Sequence, residues 1–139
     1  MGRGVYYPHD NENGFAWAEQ VIVHTSDLYG YEQDNEDGDL WREVFDDLWE
    51  DVVTCLPDSF TKTDKYRYEN GLVGVEIRDE DTLVHIVVGA LYNEYFTAHE
   101  NLAPVHVGNA LRRIKKALRD WGLALYYRSS AWTTSKMAD

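Results

Sequence analysis

The chain is short of the residues that most often build chemistry. Cysteine occurs once, at Cys55. That excludes an internal disulfide framework and a zinc site made of several cysteines. Basic residues are scarce as well: 13 Lys and Arg stand against 25 Asp and Glu, a formal net charge of −12. A free nucleic-acid binder is usually basic, so neither DNA nor RNA is expected as a direct ligand. An anionic membrane is disfavoured for the same reason. Long apolar runs are missing. The longest mainly apolar stretch, LVHIVVGALY at 83–92, is too short to span a bilayer. The first residues, MGRGVYYPHDNENG, lack the apolar segment of a signal peptide. The expectation is a cytoplasmic protein.

Catalytic signatures are missing too. The histidines His9, His24, His85, His99 and His106 form neither HxxxH nor HExxH. GxGxxG, a Walker sequence and GxSxG do not occur. His99 and Glu100 with His106 match no metal-ligand spacing. Cys55 lies on the apolar side of its expected helix, where a buried, inert thiol is the natural reading. No enzymatic activity, cofactor or metal is expected.

What is present is a foldable core. The chain has 139 residues, 44% hydrophobic, with five Trp and ten Tyr. That fits one domain over 1–139, with a flexible first ~10 residues and a polar acidic loop at 30–38. FAWAEQVIVHTSDLYG places Phe15, Ala18, Ile22 and Tyr29 near one face at helical spacing, and a helix is expected there. Trp17, Val21 and Leu28 form a second apolar patch, which leaves a strand over WAEQVIVH as the alternative. Asp39 then reads as the N-cap of a second helix, Leu40 to Leu56, ended by Pro57.

KYRYENGLVGVEIRDEDTLVHIVVGALY reads as an antiparallel meander. Asn70-Gly71 signals a type I′ hairpin turn. Val73, Val75 and Ile77 alternate with Gly74, Glu76 and Arg78, so one face is buried. The run after RDED is apolar on both faces and reads as the central strand. Pro104 suits the first turn of a third helix that ends at Trp121, with Gly122 just past it. LALYYR would be a last strand. The expected fold is α+β: an antiparallel three- to four-stranded sheet with about three helices, in the order α-α-β-β-β-α-β.

The charge is concentrated. Glu32 to Asp51 holds ten acids and Arg42, a net of −9, and the rest of the chain carries only −3. On a helical wheel Trp41, Phe45, Leu48, Val52 and Leu56 make the core stripe. Asp39, Glu43, Asp46, Asp47 and Glu50 fall on the opposite side, with Asp51 at its margin. Their i,i+4 pairs are acid on acid, which costs about 1–2 kcal/mol together at low salt. Local rules tend to break where function demands it.

One such demand is imitation of a nucleic-acid backbone. Six carboxylates over about 18 Å of helix give a charge every ~3 Å. A single DNA strand carries one per about 3.4 Å. Such a surface suits the basic groove of a nucleic-acid-binding protein or nuclease. The expected contact residues are Glu36, Asp37, Asp39, Glu43, Asp46, Asp47, Glu50 and Asp51. Trp49, with Tyr29 and Tyr31, would supply anchoring. In size, charge and lack of chemistry the chain resembles the small acidic anti-CRISPR and anti-restriction proteins that phages use against bacterial defence nucleases. That resemblance implies an inhibitor working in the host cytoplasm.

The third helix is the reverse. Val107, Leu111, Ile114, Leu118 and Trp121 form its core stripe, and Arg112, Arg113, Lys115, Lys116 and Arg119 cover much of the rest. The alternative function follows: a self-assembling structural or adaptor protein, a homodimer included, that pairs acidic and basic helix faces.

Overall fold

The computed structural model describes residues 14–29, 39–92, 94–129 and 135–137. Its elements are strand β1 (Phe15–His24), a short helix α1 (Thr25–Tyr29), helix α2 (Asp39–Thr54), strands β2 (Thr61–Asp64), β3 (Arg67–Glu69), β4 (Val73–Glu80) and β5 (Leu83–Leu91), a short helix α3 (Glu94–Ala98), a 3-10 turn (Glu100–Leu102), helix α4 (Ala103–Asp120), and strands β6 (Tyr126–Ser129) and β7 (Ser135–Met137). The strands form one sheet in the order β2-β3-β4-β5-β1-β6-β7. Every neighbouring pair is antiparallel. The α+β class is as expected. The sheet is wider than the three to four strands expected.

The main correction is at the start. Residues 15–24 form a strand, not a helix, and it lies inside the sheet between β5 and β6. An interior strand buries both faces, so its apolar residues do not simply alternate. A register shift between Phe15 and Trp17 adds to the confusion. It puts Phe15 and Ala18 opposite Leu91 and Gly89 on one face, with Ile22 opposite His85. Trp17, Val21 and Val23 face the other way, opposite Ala90, Ile86 and Val84. The helix-like recurrence of Phe15, Ala18 and Ile22 is therefore a bulged strand read at the wrong period.

The hairpin signals hold with one shift. Glu69 pairs with Gly74, so the turn is centred on Gly71-Leu72 rather than Asn70-Gly71. Gly71 has φ +91° and Asn70 does not have positive φ, the pattern of a II′ turn rather than I′. The Asn70 side chain instead closes the turn, its Oδ1 accepting from the N–H groups of Leu72 and Val73 at 2.9 and 2.8 Å. β5, apolar on both faces, sits fourth of the seven strands, at the centre of the sheet.

One face of the sheet carries α2 and α4. A single core cluster joins Phe45, Leu48, Trp49 and Val52 of α2, Val107, Leu111, Ile114 and Leu118 of α4, and Val21, Val75, Ile77, Val84, Ile86 and Val88 of the sheet. The helix ends follow the sequence. At α2, Cys55 and Leu56 donate to Val52 and Val53 in a tightened last turn before Pro57. At α4, Pro104 lies in the first turn and Trp121 is the C-cap. Gly122 (φ +78°) donates to Arg119 and Leu123 to Leu118, the paired bonds of a Schellman ending.

The opposite face is built differently. Phe15, Ala18, Val87 and Leu91 form a second, smaller buried cluster. Arg67 covers the Phe15 ring at 4.5 Å and pairs with Glu69 and Glu76, both at 2.6 Å. Glu76 also takes Arg78 at 2.6 Å. A charged ladder thus crosses β3 and β4 on this side. Among the described residues no helix is long and apolar enough to cross a membrane.

Candidate functional site

The acidic helix is shaped by its core stripe. Phe45, Leu48, Trp49, Val52 and Leu56 are buried, and this fixes which way the other described side chains of α2 point. Glu43, Asp47 and Glu50 are exposed, on the side away from the sheet. They form no ion pair with any described residue. Their spacing of four and three residues keeps them in one line along the helix.

The flanking acids are engaged. Asp46 is half-buried, and its Oδ1 accepts from the Tyr66 hydroxyl at 2.8 Å. Arg42 joins the same corner: it donates to the Tyr66 hydroxyl at 3.3 Å, lies 3.8 Å from Asp79, and covers the Phe45 ring at 4.8 Å. On the other flank Asp51 accepts from the Trp121 indole N–H at 2.8 Å, which ties α2 to α4. Asp46 and Asp51 therefore brace the helix as well as charging it. Trp49 is a clear departure from the expected contact set. It is only 5% exposed, donates to the Lys65 carbonyl at 3.2 Å, and packs edge-on to Tyr68 at 5.9 Å. It is a core residue, not an anchor for a partner.

Asp39 opens α2, but its side chain lies outside the described residues, as do Glu36, Asp37 and Tyr31. For Tyr29 only the backbone, at the end of α1, is described. The outward row defined by the structure is thus Glu43, Asp47 and Glu50. From 43 to 50 the helix rises about 10.5 Å, one outward charge per ~5 Å. That is sparser than the ~3 Å expected from the sequence, because two of the six acids turn sideways.

Sequence spacing had no means of finding Tyr66 or Trp121. They lie 20 and 70 residues from their acid partners. Arg113 is a third such residue. α2 has no base in its last turn, and Arg113 of α4 reaches the Cys55 carbonyl at 3.5 Å. A cation from another element thereby complements the negative end of α2. Cys55 itself is half-buried, with its Sγ donating to the Val52 carbonyl at 2.9 Å. Burial pushes the thiol pKa up, against the opposing pull of the Arg113 charge and of the Cys55 backbone N–H.

The basic helix points its charges in several directions. Lys115 turns inward to Tyr127, donating to its hydroxyl and lying 4.6 Å from the ring. Arg112 donates to Asn109 at 2.6 Å, and Lys116 pairs with Asp120 at 3.1 Å. Arg112, Lys116 and Arg119 are exposed.

His99 and His106 both meet one ring, that of Tyr95. Tyr95 stacks on His99 at 4.6 Å and meets His106 edge-on at 6.0 Å. His99 Nδ1 is held by the Tyr95 carbonyl at 2.9 Å. The side chain of Glu100 lies outside the described set, and among the described residues no three potential ligands gather. His85 is buried in β5 with Nδ1 2.8 Å from Gln20 Oε1, a hydrogen-bonded sheet residue.

No protein-family model, curated protein or solved structure matches the chain.

Proposed function

We propose that the protein is a non-enzymatic acidic binding protein that inhibits a nucleic-acid-binding protein or defence nuclease by occupying its basic surface. The observation that carries this reading is the row Glu43, Asp47 and Glu50. Three carboxylates stand in line on a helix whose other side is buried in the core, without any ion pair to a described residue. Such a row costs helix stability and has no role in holding the fold. It presents fixed negative charge to a partner, and steering by such a field speeds the encounter with a basic groove. In character this is a phage-type anti-CRISPR or anti-restriction inhibitor, working in the host cytoplasm. Glu36, Asp37 and Asp39, whose side chains lie outside the described residues, are further contact residues in this reading. Asp46 and Asp51 contribute charge from the flanks, and Trp49 drops out as a contact.

The test is capture from a bacterial lysate at about 50 and 300 mM salt, a span over which contacts of this kind weaken strongly. Wild type runs beside a Glu43→Gln, Asp47→Asn, Glu50→Gln variant, with Asp46 kept so that its bond to Tyr66 survives. A nuclease or DNA-binding protein held at low salt, and held about tenfold less tightly by the variant, is the expected result. Three exposed charge pairs at roughly 0.5 kcal/mol each give that factor. Equal capture by both proteins would sink the reading.

A further inference from the structure

We propose that the cavity between the β2–β3 hairpin and the start of β1 binds a linear organic dication, a diamine or polyamine.

The cavity lies on the sheet face opposite α2 and α4, where Leu91 belongs to the smaller buried cluster. It is therefore separate from the acidic row. Its volume is about 660 Å³, in the range of small-molecule sites. One wall is the hairpin. Asp64 pairs with Arg67 across β2 and β3, and Glu69 follows Arg67 by two residues. All three side chains thus project from the same side of the hairpin and line the cavity. Leu91 adds apolar surface, and Tyr92, 48% exposed, stands at the other wall. Gly14 and Gly71, both at positive φ, bring backbone to the lining instead of side chains.

The charges favour a cation. Arg67 is already answered by two carboxylates, since its Nε and Nη1 reach Glu69 Oε2 and Glu76 Oε1 at 2.6 Å each. Little is left of its charge for an anion. The acids of the lining are only half used. Glu69 gives Oε2 to Arg67, and Asp64 gives Oδ1 to the Lys65 N–H at 2.8 Å. Glu69 Oε1 and Asp64 Oδ2 accept nothing from any described residue. Both oxygens belong to one cavity in a chain of net charge −12.

The spacing favours an extended cation over a compact one. Asp64 and Glu69 are diagonal neighbours of the β2–β3 pair, with Cα atoms about 7–8 Å apart. A divalent metal takes more oxygen ligands than these two carboxylates supply, and no three potential metal ligands gather among the described residues. Two ammonium groups joined by about four methylenes match that separation. The aliphatic chain between them then lies over Leu91, and an ammonium beside the Tyr92 ring gains a cation–π contact.

The experiment titrates the purified protein with spermidine at about 100 mM salt, which screens diffuse attraction to the acidic surface. Amide NMR shifts locate the binding and calorimetry measures it. Shifts are expected in 61–71 and 91–92, and not in α2. Asp64→Asn and Glu69→Gln should each loosen binding about threefold, and together about tenfold. Tyr92→Ala should loosen it as well. The Glu43→Gln, Asp47→Asn, Glu50→Gln variant loses three charges elsewhere and should bind like wild type. Magnesium at the same concentration should not reproduce the shifts. If Glu69→Gln disturbs the fold through Arg67, Asp64→Asn, on an exposed residue, carries the test alone. The proposal is overturned by any of three results: no binding at about 10 mM spermidine, shifts that follow α2 or appear equally with magnesium, or an Asp64→Asn variant that binds no more weakly than wild type.

Discussion

A methyl group on Gly89 would stand 2.6 Å from Cδ1 of Phe15, and one on Gly74 would stand 2.8 Å from Cε1 of the same ring. The two glycines pair across β4 and β5, and the Phe15 ring fills the space their side chains leave open. Phe15 has no exposure, so the ring cannot swing out to water at low cost. Gly89→Ala is therefore expected to destabilise by about 1–3 kcal/mol, the range for forcing an extra carbon into a packed site. Phe15→Ala should cost about 3–5 kcal/mol. The two changes share one space, so the double variant should be more stable than the sum of the singles predicts. Urea unfolding of all four proteins measures this, and strict additivity would show that the ring does not rest on Gly89.

Cys55 gives a second prediction at this scale. Burial raises its folded pKa, so the folded state holds the thiol proton more tightly than the unfolded chain does. Stability then falls as pH rises through the unfolded thiol range, about 8.5, and upward toward the folded value. The urea midpoint of wild type should drop between about pH 8 and pH 10 by more than that of Cys55→Ala. Parallel pH curves for the two proteins would contradict the raised pKa.

The elements show why some features were legible and others were not. α4 was readable end to end, because Pro104, the apolar stripe and Gly122 are all local signals, and the helix runs Ala103–Asp120 as they require. The hairpins were readable to within one residue, since Gly71 and the alternation of Val73, Val75 and Ile77 are local too. β1 was not. Its pattern is set by burial on two sides and by the irregularity after Phe15, and both come from neighbours distant in sequence. The acidic row was legible as charge, and its orientation was legible from the core stripe. Which acids were engaged depended on Tyr66 and Trp121, and no spacing within α2 encodes them. Trp49 illustrates the same limit. At the border of the stripe it could have faced either way, and the Lys65 carbonyl and Tyr68 ring draw it inward. At this scale the prediction concerns Asp47→Lys. It replaces an acid–acid pair with an i,i+4 Glu43–Lys pair and should stabilise by about 0.4–1 kcal/mol at low salt, while weakening capture of a basic partner. A change that stabilised the fold without affecting binding would mean that the row is solvated surface.

Over the whole molecule the net charge is unevenly placed, and its placement makes the stability of the fold depend on salt. The segment 32–51 carries −9 of the −12, and within it α2 holds Glu43, Asp47 and Glu50 in one exposed row. Within the folded chain these carboxylates lie closer together than in an expanded unfolded one, so their repulsion weighs against folding. Screening relieves it, with a Debye length near 30 Å at 0.01 M and about 10 Å at 0.1 M. Some charges act in the opposite sense. Arg67 with Glu69 and Glu76 is partly buried, and salt screens such pairs less than exposed ones. The sign is therefore set by the exposed row. At protein concentrations too low for association, the urea midpoint should rise between about 10 and 300 mM salt. The rise should shrink in the Glu43→Gln, Asp47→Asn, Glu50→Gln variant, because that variant has already lost the repulsion that salt would remove. The same variant is expected to hold a basic partner about tenfold less tightly, since the row that opposes folding is the row proposed to bind. A midpoint that fell with salt in wild type would place the dominant electrostatics in the attractive contacts of the sheet and leave the acidic row energetically silent in the fold.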